Sequence, residues 1–301
     1  PSSDIVNALE PVAPTIQKAI FGYGKTSSDV SLTNLVNSSG VVAADVTGVG
    51  TARNNLAASS YGGDKAIFGY GRTNTQVSMT NLVNNSGVVA TDVSGVGTAR
   101  QSLAAASYGG DKAIFGYGTD SSLTNLVNNN GVVGSDVTGV GTARNDLAAA
   151  SFGGDKAIFG YGYYYSGGVV TYSLTNLVSN TGVVAADVTG VGTARYLLAA
   201  AGYGGDKAIF GFGTTGSVTG LTNLVSNTGV VAANVSAVGT ARKGLAAAGY
   251  GGDKAIFGYG TTGSLTAITN LVNSSGVVAS DVSGVGTARE KLAAAGFSYS
   301  A

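Results

Sequence analysis

The chain has 301 residues, enough for one large domain or two of ordinary size, and its 16 basic and 16 acidic residues give no net charge. A balanced charge provides no general attraction to nucleic acid or to an anionic membrane surface. There is no Cys, His or Trp, which excludes disulfides, thiolate or imidazole metal sites and the usual general base of enzymes. No apolar run approaches the roughly 20 residues of a membrane-spanning helix, so we expect no membrane insertion, nucleic-acid partner, metal or cofactor.

Residues 1–17 match no other part of the chain, and they include Pro11 and Pro14. We interpret them as an N-terminal arm that precedes a single domain, residues 18–301. The arm could attach this domain to a larger particle or be a disordered lead-in.

The phrase Lys-Ala-Ile-Phe-Gly, followed by an aromatic residue and Gly, divides the domain into six repeats, which begin near residues 18, 65, 112, 156, 207 and 254. A second phrase, Gly-Thr-Ala-Arg, recurs once in each repeat. Repeat lengths of about 40 to 50 residues are typical of β-propeller blades and of helical HEAT arrays. The 49 glycines disfavour the helical option, because each interior glycine costs a helix about 1 kcal/mol relative to Ala.

Each repeat contains four short apolar runs bounded by Gly, Asn and Ser, a composition typical of strands and turns. In the second repeat the runs are 66–70, 77–83, 88–93 and 103–108. Their polar and apolar residues alternate poorly, which favours sheets covered on both faces, as in stacked blades. The Ala-rich fourth run is predicted to be the innermost strand, where only small side chains fit, with a short helix over 103–106 as the alternative.

The first repeat begins at the second strand of a blade, and the chain ends with an innermost strand, 292–297. The last strand would therefore complete the first blade and protect its edge. We predict an all-β fold, a six-bladed β-propeller of four-stranded blades whose ring is closed when the C-terminal strand joins the first blade.

The repeats resemble the kelch family over nearly the whole domain. Arg195 precedes an apolar run at 198–203, and the next run, 208–213, ends in Gly-Phe-Gly. A Ser-Asn-Thr-Gly turn follows at 226–229. An aromatic residue separates the paired glycines, and two valines, 230–231, stand where kelch repeats have a tryptophan. The resemblance implies the propeller architecture, and the near-identical repeats of low charge resemble kelch-like structural proteins of phage virions and fibres.

Most charged residues belong to the repeats and are predicted to be structural. An Asp lies eight residues before the Arg of its repeat, except in the fifth repeat, which has Asn234. We interpret these residues as Asp–Arg pairs across each blade, namely Asp45 and Arg53, Asp92 and Arg100, Asp136 and Arg144, Asp187 and Arg195, and Asp281 and Arg289. One carboxylate per repeat does not make a calcium site. The other acids, among them Asp29, Asp120 and Asp146, have no partners of the kind glycosidases use, so we predict no catalytic residue.

The repeats differ from one another in two places, the loop after the Gly-aromatic-Gly phrase and the two residues after each Arg. In a four-stranded blade both would emerge on one side, which we call the variable face. Its loops are 25–31, 72–78, 119–122, 163–173, 214–220 and 261–267, and its residue pairs begin at Asn54, Gln101, Asn145, Tyr196, Lys243 and Glu290. A rigid scaffold with variable loops is a common arrangement for a binding site, although surface loops also diverge without function.

The longest loop, in the fourth repeat, carries Tyr163, Tyr164, Tyr165 and Tyr172, and Tyr196 lies on the same predicted face. Tyrosines combine an apolar ring with a hydroxyl group at low entropy cost, which suits sugar or protein surfaces. These five tyrosines, with the first residue of each pair above, are the candidate ligand- or partner-binding residues.

We therefore expect a structural or binding protein rather than an enzyme. The resemblance implies a virion protein of a phage tail, fibre or capsid, located on a virion or extracellular surface. Its arm would bind other virion or surface proteins, and its variable face would recognise a partner or a cell-surface glycan or protein. Two alternatives remain open, a glycan-binding, lectin-like propeller and an intracellular kelch-type module for protein interaction. Sugar binding by the tyrosine-rich loop would favour the lectin-like propeller. The low content of charged residues is weak evidence against the intracellular interaction module.

Overall fold

The computed structural model describes residues 16–236 and 238–299. The predicted arm, residues 1–17, lies outside this part, except that its last two residues begin strand β1 (Ile16–Gly22). The described residues form twenty strands, numbered β1 to β20 along the chain, and no helix. They are arranged in six three-stranded antiparallel sheets and one two-stranded hairpin, so the prediction of an all-β fold is confirmed. The described residues therefore include no helix that could cross a membrane.

Every three-stranded sheet contains three kinds of strand. The alanine strands form one edge and are β3 (Ala57–Tyr61), β6 (Ala104–Tyr108), β9 (Ala148–Phe152), β14 (Ala199–Tyr203), β17 (Ala246–Tyr250) and β20 (Ala293–Tyr299). The central strands contain Lys-Ala-Ile-Phe-Gly and are β1, β4 (Lys65–Gly69), β7 (Lys112–Gly116), β10 (Lys156–Gly160), β15 (Lys207–Gly211) and β18 (Lys254–Gly258). The outer strands are Thr-Asn-Leu-Val and comprise β2 (Thr33–Val36), β5 (Thr80–Val83), β8 (Thr124–Val127), β13 (Thr175–Val178), β16 (Thr222–Val225) and β19 (Thr269–Val272). Residues 104–106, inside the alternative helix, are strand.

The prediction of four strands in each sheet is wrong, because the valine-rich run at 88–93 and its equivalents form no regular strand. This run meets the outer strand at two isolated bridges, which join Val83 to Val89 and Thr80 to Val93. Between the bridges the run has one residue more than the outer strand, so a regular ladder cannot continue. The side chain of Asn81 occupies the gap, and its Nδ2 donates to the carbonyl oxygen of Ala90 (3.0 Å).

In five of the six three-stranded sheets, a Gly-Gly-Asp turn joins the alanine strand to the central strand; in the first sheet these strands are β20 and β1, which no turn connects. In the second sheet Gly62 and Gly63 have φ angles of 61° and 81°, in the left-handed region that favours glycine. The N–H of Gly62 donates to the carbonyl oxygen of Asp111 in the following repeat (2.7 Å). The turn therefore also links neighbouring sheets.

Neighbouring sheets pack through the Gly-aromatic-Gly phrase. Gly69 leaves room for the ring of Phe115 in the next repeat, since a Cβ at Gly69 would lie 2.6 Å from that ring. Tyr70 packs against the same ring, with the ring centroids 5.1 Å apart. This contact recurs in every repeat, and the series continues from Tyr259 in the sixth repeat to Phe21 in the first.

The C-terminal strand β20 belongs to the sheet of the first repeat. It pairs antiparallel with β1, with Ala293 opposite Gly22 and Phe297 opposite Lys18. The alanine strands contact one another in the order β3, β6, β9, β14, β17 and β20, and β20 also contacts β3. All six line a narrow cavity of about 140 Å³, and their alanine side chains allow this close approach.

Candidate binding face

The two variable segments of the sequence lie beside each other. In the first pair, Asn54 N donates to Arg72 O (2.9 Å) and Arg72 N donates to Asn54 O (2.8 Å). Equivalent backbone bridges join Asn145 to Tyr163, Tyr196 to Thr214, Lys243 to Thr261 and Glu290 to Lys25. The short third loop differs, because Gln101 N donates to the side-chain Oγ1 of Thr119 (3.0 Å). Each candidate residue after an arginine therefore contacts the loop of the following repeat.

Two of these candidates are buried and support loops rather than face solvent. Asn54 donates from Nδ2 to Asp29 Oδ1 (2.5 Å), and Asn145 donates from Nδ2 to Asp120 Oδ1 (2.6 Å). The N–H of Asp120 in turn donates to Asn145 Oδ1 (3.0 Å). Asn145 therefore orients the exposed side chain of Asp120.

The second residue after each arginine belongs to a ring of backbone hydrogen bonds. Each N–H donates to the carbonyl oxygen of the preceding member at 2.7 to 3.0 Å, and the members are Asn55, Ser102, Asp146, Leu197, Gly244 and Lys291. The ring closes because Asn55 N donates to Lys291 O. All six members have φ between 48° and 63°, a conformation that costs non-glycine residues about 1 to 3 kcal/mol unless the surroundings hold it. We call this set the axial ring.

In the fourth repeat, the longest loop folds into the hairpin of β11 (Tyr163–Tyr165) and β12 (Val169–Thr171). Tyr163 packs against Tyr196, with ring centroids 4.9 Å apart and ring planes at 59°. Successive strand residues point to opposite faces, so Tyr164 lies on the other face of the hairpin. Tyr165 is 60% exposed, and Tyr172 follows the hairpin. Tyr164, Tyr165 and Tyr172 make no ring contact with Tyr163 or Tyr196 among the described residues.

Two carboxylates lie close enough to act on the tyrosine pair. Burial, together with the negative charges of Asp146 and Asp120 and the neighbouring Tyr196, raises the pKa of Tyr163 to about 12. The hydroxyl of Tyr163 therefore stays protonated at neutral pH and can donate or accept a hydrogen bond. We call Tyr163, Tyr196, Asp120, Asn145 and Asp146 the tyrosine site.

The sequence analysis missed the carboxylates of this site. Asp120 and Asp146 stand in different segments, and nothing in their spacing indicates that both approach one loop of the next repeat. Asp146 is also a member of the axial ring. Burial raises the pKa of Asp146, while a hydrogen bond with Ser102 and the charge of Lys291 act in the opposite direction.

Each repeated arginine is buried between neighbouring sheets, at a place that we call the junction. Arg53 donates from Nε to Tyr70 O (2.9 Å) and from Nη1 to Thr51 O (3.1 Å). Its Nη2 donates to Asn81 Oδ1 (2.7 Å), and its guanidinium carbon lies 4.3 Å from the ring centroid of Tyr23. Residues of successive repeats thus hold one buried cation.

The predicted partner of each arginine needs correction, because the aspartates pair across the junction and not within a repeat. Asp92 lies 3.9 Å from Arg53, Asp136 lies 3.4 Å from Arg100, and Asp45 lies 4.0 Å from Arg289. The main partner of each carboxylate is a threonine of the preceding repeat, and Thr51 Oγ1 donates to Asp92 Oδ2 (2.6 Å). Asp187 and Asp281 accept equivalent bonds from Thr142 and Thr240. The segment that precedes each alanine strand contains the arginine and already contacts the next sheet. The arginine therefore meets the aspartate of the following repeat and not that of its own repeat.

An asparagine of the outer strand also lies at each junction, and the sequence analysis missed it. Its Oδ1 accepts from the arginine at four of the six described junctions, those of Arg53, Arg100, Arg144 and Arg289. Asn81 is fully buried, and its Nδ2 donates to Asp92 Oδ1 (2.9 Å) while its Oδ1 accepts from Arg53. The available signal was an asparagine at the same place in six short Thr-Asn-Leu-Val strands. The junctions are therefore structural.

A scan against models of known protein families finds none that matches this chain, and a search of curated proteins finds no match either. The resemblance to kelch repeats and to phage proteins stays a prediction. Among the described residues, no three His, Cys, Asp or Glu side chains come together as a metal site.

Proposed function

We propose that this chain is a non-enzymatic recognition protein built as a closed six-bladed β-propeller. Three observations support closure, namely the pairing of β20 with β1, the contacts that lead from each alanine strand to the next and from β20 to β3, and the closed axial ring. In this architecture the six sheets are the blades. The loops and the axial ring then share one end of the disc, and this end is the recognition face.

The contact between Tyr163 and Tyr196 carries the functional proposal, because it pairs two partly exposed aromatic rings beside an oriented carboxylate. An aromatic ring offers an apolar face to the C–H groups of a sugar. The carboxylate of Asp120 and the protonated hydroxyl of Tyr163 can bind sugar hydroxyls as acceptor and donor. The tyrosine site therefore favours a neutral glycan as its ligand.

A protein partner is the second candidate, and the tip of the hairpin favours it. Tyr165, Val169 and Val170 are 60%, 53% and 44% exposed on a short two-stranded projection. Exposed apolar side chains of this kind are typical of protein contacts when they lie together. A virion or extracellular location, with attachment to other proteins through the arm, stays a prediction from the sequence resemblance.

The test is a glycan-binding screen of the purified protein, the variant Tyr163→Ser/Tyr196→Ser and the control Tyr165→Ser. We expect the protein and the control to bind the same neutral glycans, and the double variant to bind them at least about tenfold more weakly, since two ring contacts are lost. Glycan binding that survives in the double variant would contradict the tyrosine site. If binding to a protein partner is lost in Tyr165→Ser and kept in the double variant, the second candidate would be supported.

A further inference from the structure

Basic residues outside the repeated phrases are few, and all of them lie on the variable face, namely Lys25, Arg72, Lys243 and Lys291. Three of them, Lys25, Arg72 and Lys291, line one cleft of about 420 Å³ between the loops of the first and second repeats. We propose that this basic cleft binds the carboxylate or sulfate group of an acidic saccharide. The proposal rests on the proposed function only in assigning the cleft to the same recognition face.

The backbone fixes all three cationic residues. Lys25 N donates to Glu290 O (2.8 Å), and Glu290 N donates back to Lys25 O (3.0 Å). Arg72 is bonded in the same reciprocal way to Asn54, and Lys291 is a member of the axial ring. The backbone at all three residues is therefore held in place without a loop having to be ordered first, which reduces the entropy cost of binding.

The lining of the cleft carries a net positive charge, although the charge of Lys291 also acts on the carboxyl group of Asp146 in the axial ring. Among the described residues, no carboxylate forms an ion pair with Lys25, Arg72 or Lys291. The one acid of the lining, Asp29, accepts a hydrogen bond from Asn54 (2.5 Å). Glu290 turns the other way, and its Oε2 lies 3.3 Å from the place that a Cβ on Gly244 would occupy. Three cations therefore face one carboxylate that already has a partner.

The rest of the lining indicates what carries the anionic group. It consists of hydroxyl and amide side chains, those of Ser27, Ser28, Asn54, Asn55, Thr73 and Asn74. Such groups donate and accept hydrogen bonds in the way that saccharide hydroxyls require. The lining contains no aromatic residue on which a nucleobase could stack, and nucleic-acid sites usually combine cations with such rings. An acidic saccharide fits this chemistry better than a nucleic acid does.

The cleft and the tyrosine site divide the variable face by charge. The tyrosine site brings the carboxylates of Asp120 and Asp146 close to Tyr163, whereas the cleft gathers three cations. An acidic group would be repelled at the tyrosine site and attracted at the cleft. A glycan with acidic and neutral sugars could contact both sites at once.

The experiment measures binding by isothermal titration calorimetry of a heparin-derived oligosaccharide, an oligogalacturonate, a neutral maltooligosaccharide and a single-stranded oligonucleotide of matched charge. The proteins are the full chain, the variant Lys25→Gln/Arg72→Gln and the control Lys243→Gln, which removes a cation of the same face outside the cleft. We expect the double variant to bind both acidic saccharides about 100-fold more weakly, because each charge-assisted contact is worth about tenfold or more. The control should change their affinity less than about twofold, and added salt should weaken binding.

Several results would overturn the proposal. They are no binding of either acidic saccharide by the full chain, an equal loss in Lys243→Gln, and tighter binding of the oligonucleotide than of the saccharides. Lys25 and Arg72 are exposed, Lys243 is partly exposed, and the backbone bonds of all three do not need their side chains, so we expect unchanged melting temperatures. If the double variant does not fold, Lys25→Gln alone must still weaken binding about tenfold.

The two proposals fail separately. Acidic-saccharide binding that persists in Tyr163→Ser/Tyr196→Ser and is lost in Lys25→Gln/Arg72→Gln supports the cleft whatever becomes of the tyrosine site. If the acidic saccharides do not bind and neutral glycans bind through the tyrosines, the cleft proposal is overturned and the proposed function stands.

Discussion

The junctions and the variable face both contain arginine, but they surround it with opposite environments. At a junction, Arg53 is fully buried and its donors meet two carbonyl oxygens and the amide oxygen of Asn81. On the variable face, Arg72 is exposed, and none of the described carboxylates pairs with it. The two residues are only 19 positions apart in the chain.

This difference shows how to separate scaffold charge from functional charge in a repetitive protein. A buried guanidinium needs protein acceptors for most of its donors, because an unsatisfied buried charge is costly. An exposed cation in a preformed cleft is satisfied by water until a ligand replaces it. Repetition alone indicates the first class, and the residues that break the repetition indicate the second.

The largest expected effect distinguishes the two arginines directly. Arg53→Met should lower the free energy of unfolding by about 3 kcal/mol or more, because Tyr70 O and Asn81 Oδ1 lose their donor in a buried place. Arg72→Met should change it by less than about 0.5 kcal/mol. Urea titrations followed by circular dichroism would measure both, and similar losses in the two variants would refute the distinction.

A smaller effect concerns the one junction without an aspartate. Arg195 is buried, and Asn234 takes the place of the aspartate beside it, so the described part of this junction contains no carboxylate. Asn234→Asp should raise the free energy of unfolding by about 0.5 to 1 kcal/mol, since Thr193 can donate to the new carboxylate as Thr51 does to Asp92.

The mirror variant Asp92→Asn is the matched control for this prediction. It should lower the free energy of unfolding by a similar amount, because it converts a complete junction into the form found at Asn234. If both substitutions shift the urea midpoint in the same direction, the carboxylate is not responsible.

The smallest effect is the pH dependence of this difference. Burial alone would raise the pKa of Asp92, but hydrogen bonds from Thr51 and Asn81 outweigh it, and the charge of Arg53 adds to them, so the pKa is lowered. A carboxyl with a lowered pKa in the folded state stabilises the protein above its unfolded pKa of about 3.9 and loses this contribution as the pH falls through the folded value. The stabilities of the protein and of Asp92→Asn should therefore differ at neutral pH and converge below about pH 4. Urea midpoints at a series of pH values would test this, and a constant difference would contradict it.

Local residue patterns were sufficient for much of the fold. The phrase Lys-Ala-Ile-Phe-Gly marks every central strand, the run of alanines marks the strands that line the central cavity, and the Gly-Gly-Asp phrase marks the turn between them. The sequence also located the variable loops and the residues after each arginine, because comparison of six repeats within one chain separates scaffold from variation. Backbone propensity and side-chain size act over a few residues, so these features are visible in the sequence.

Only the tertiary structure decided which residues of different repeats meet. One extra residue opposite the outer strand leaves three strands where four runs were predicted, and the stacking of the sheets brings Asp92 to Arg53 and not to Arg100. The same stacking gathers Asp120 and Asp146 at Tyr163. The sequence of one repeat does not indicate which residues of the neighbouring repeat it will contact. Those contacts result from the packing of whole sheets and not from the preference of any single residue.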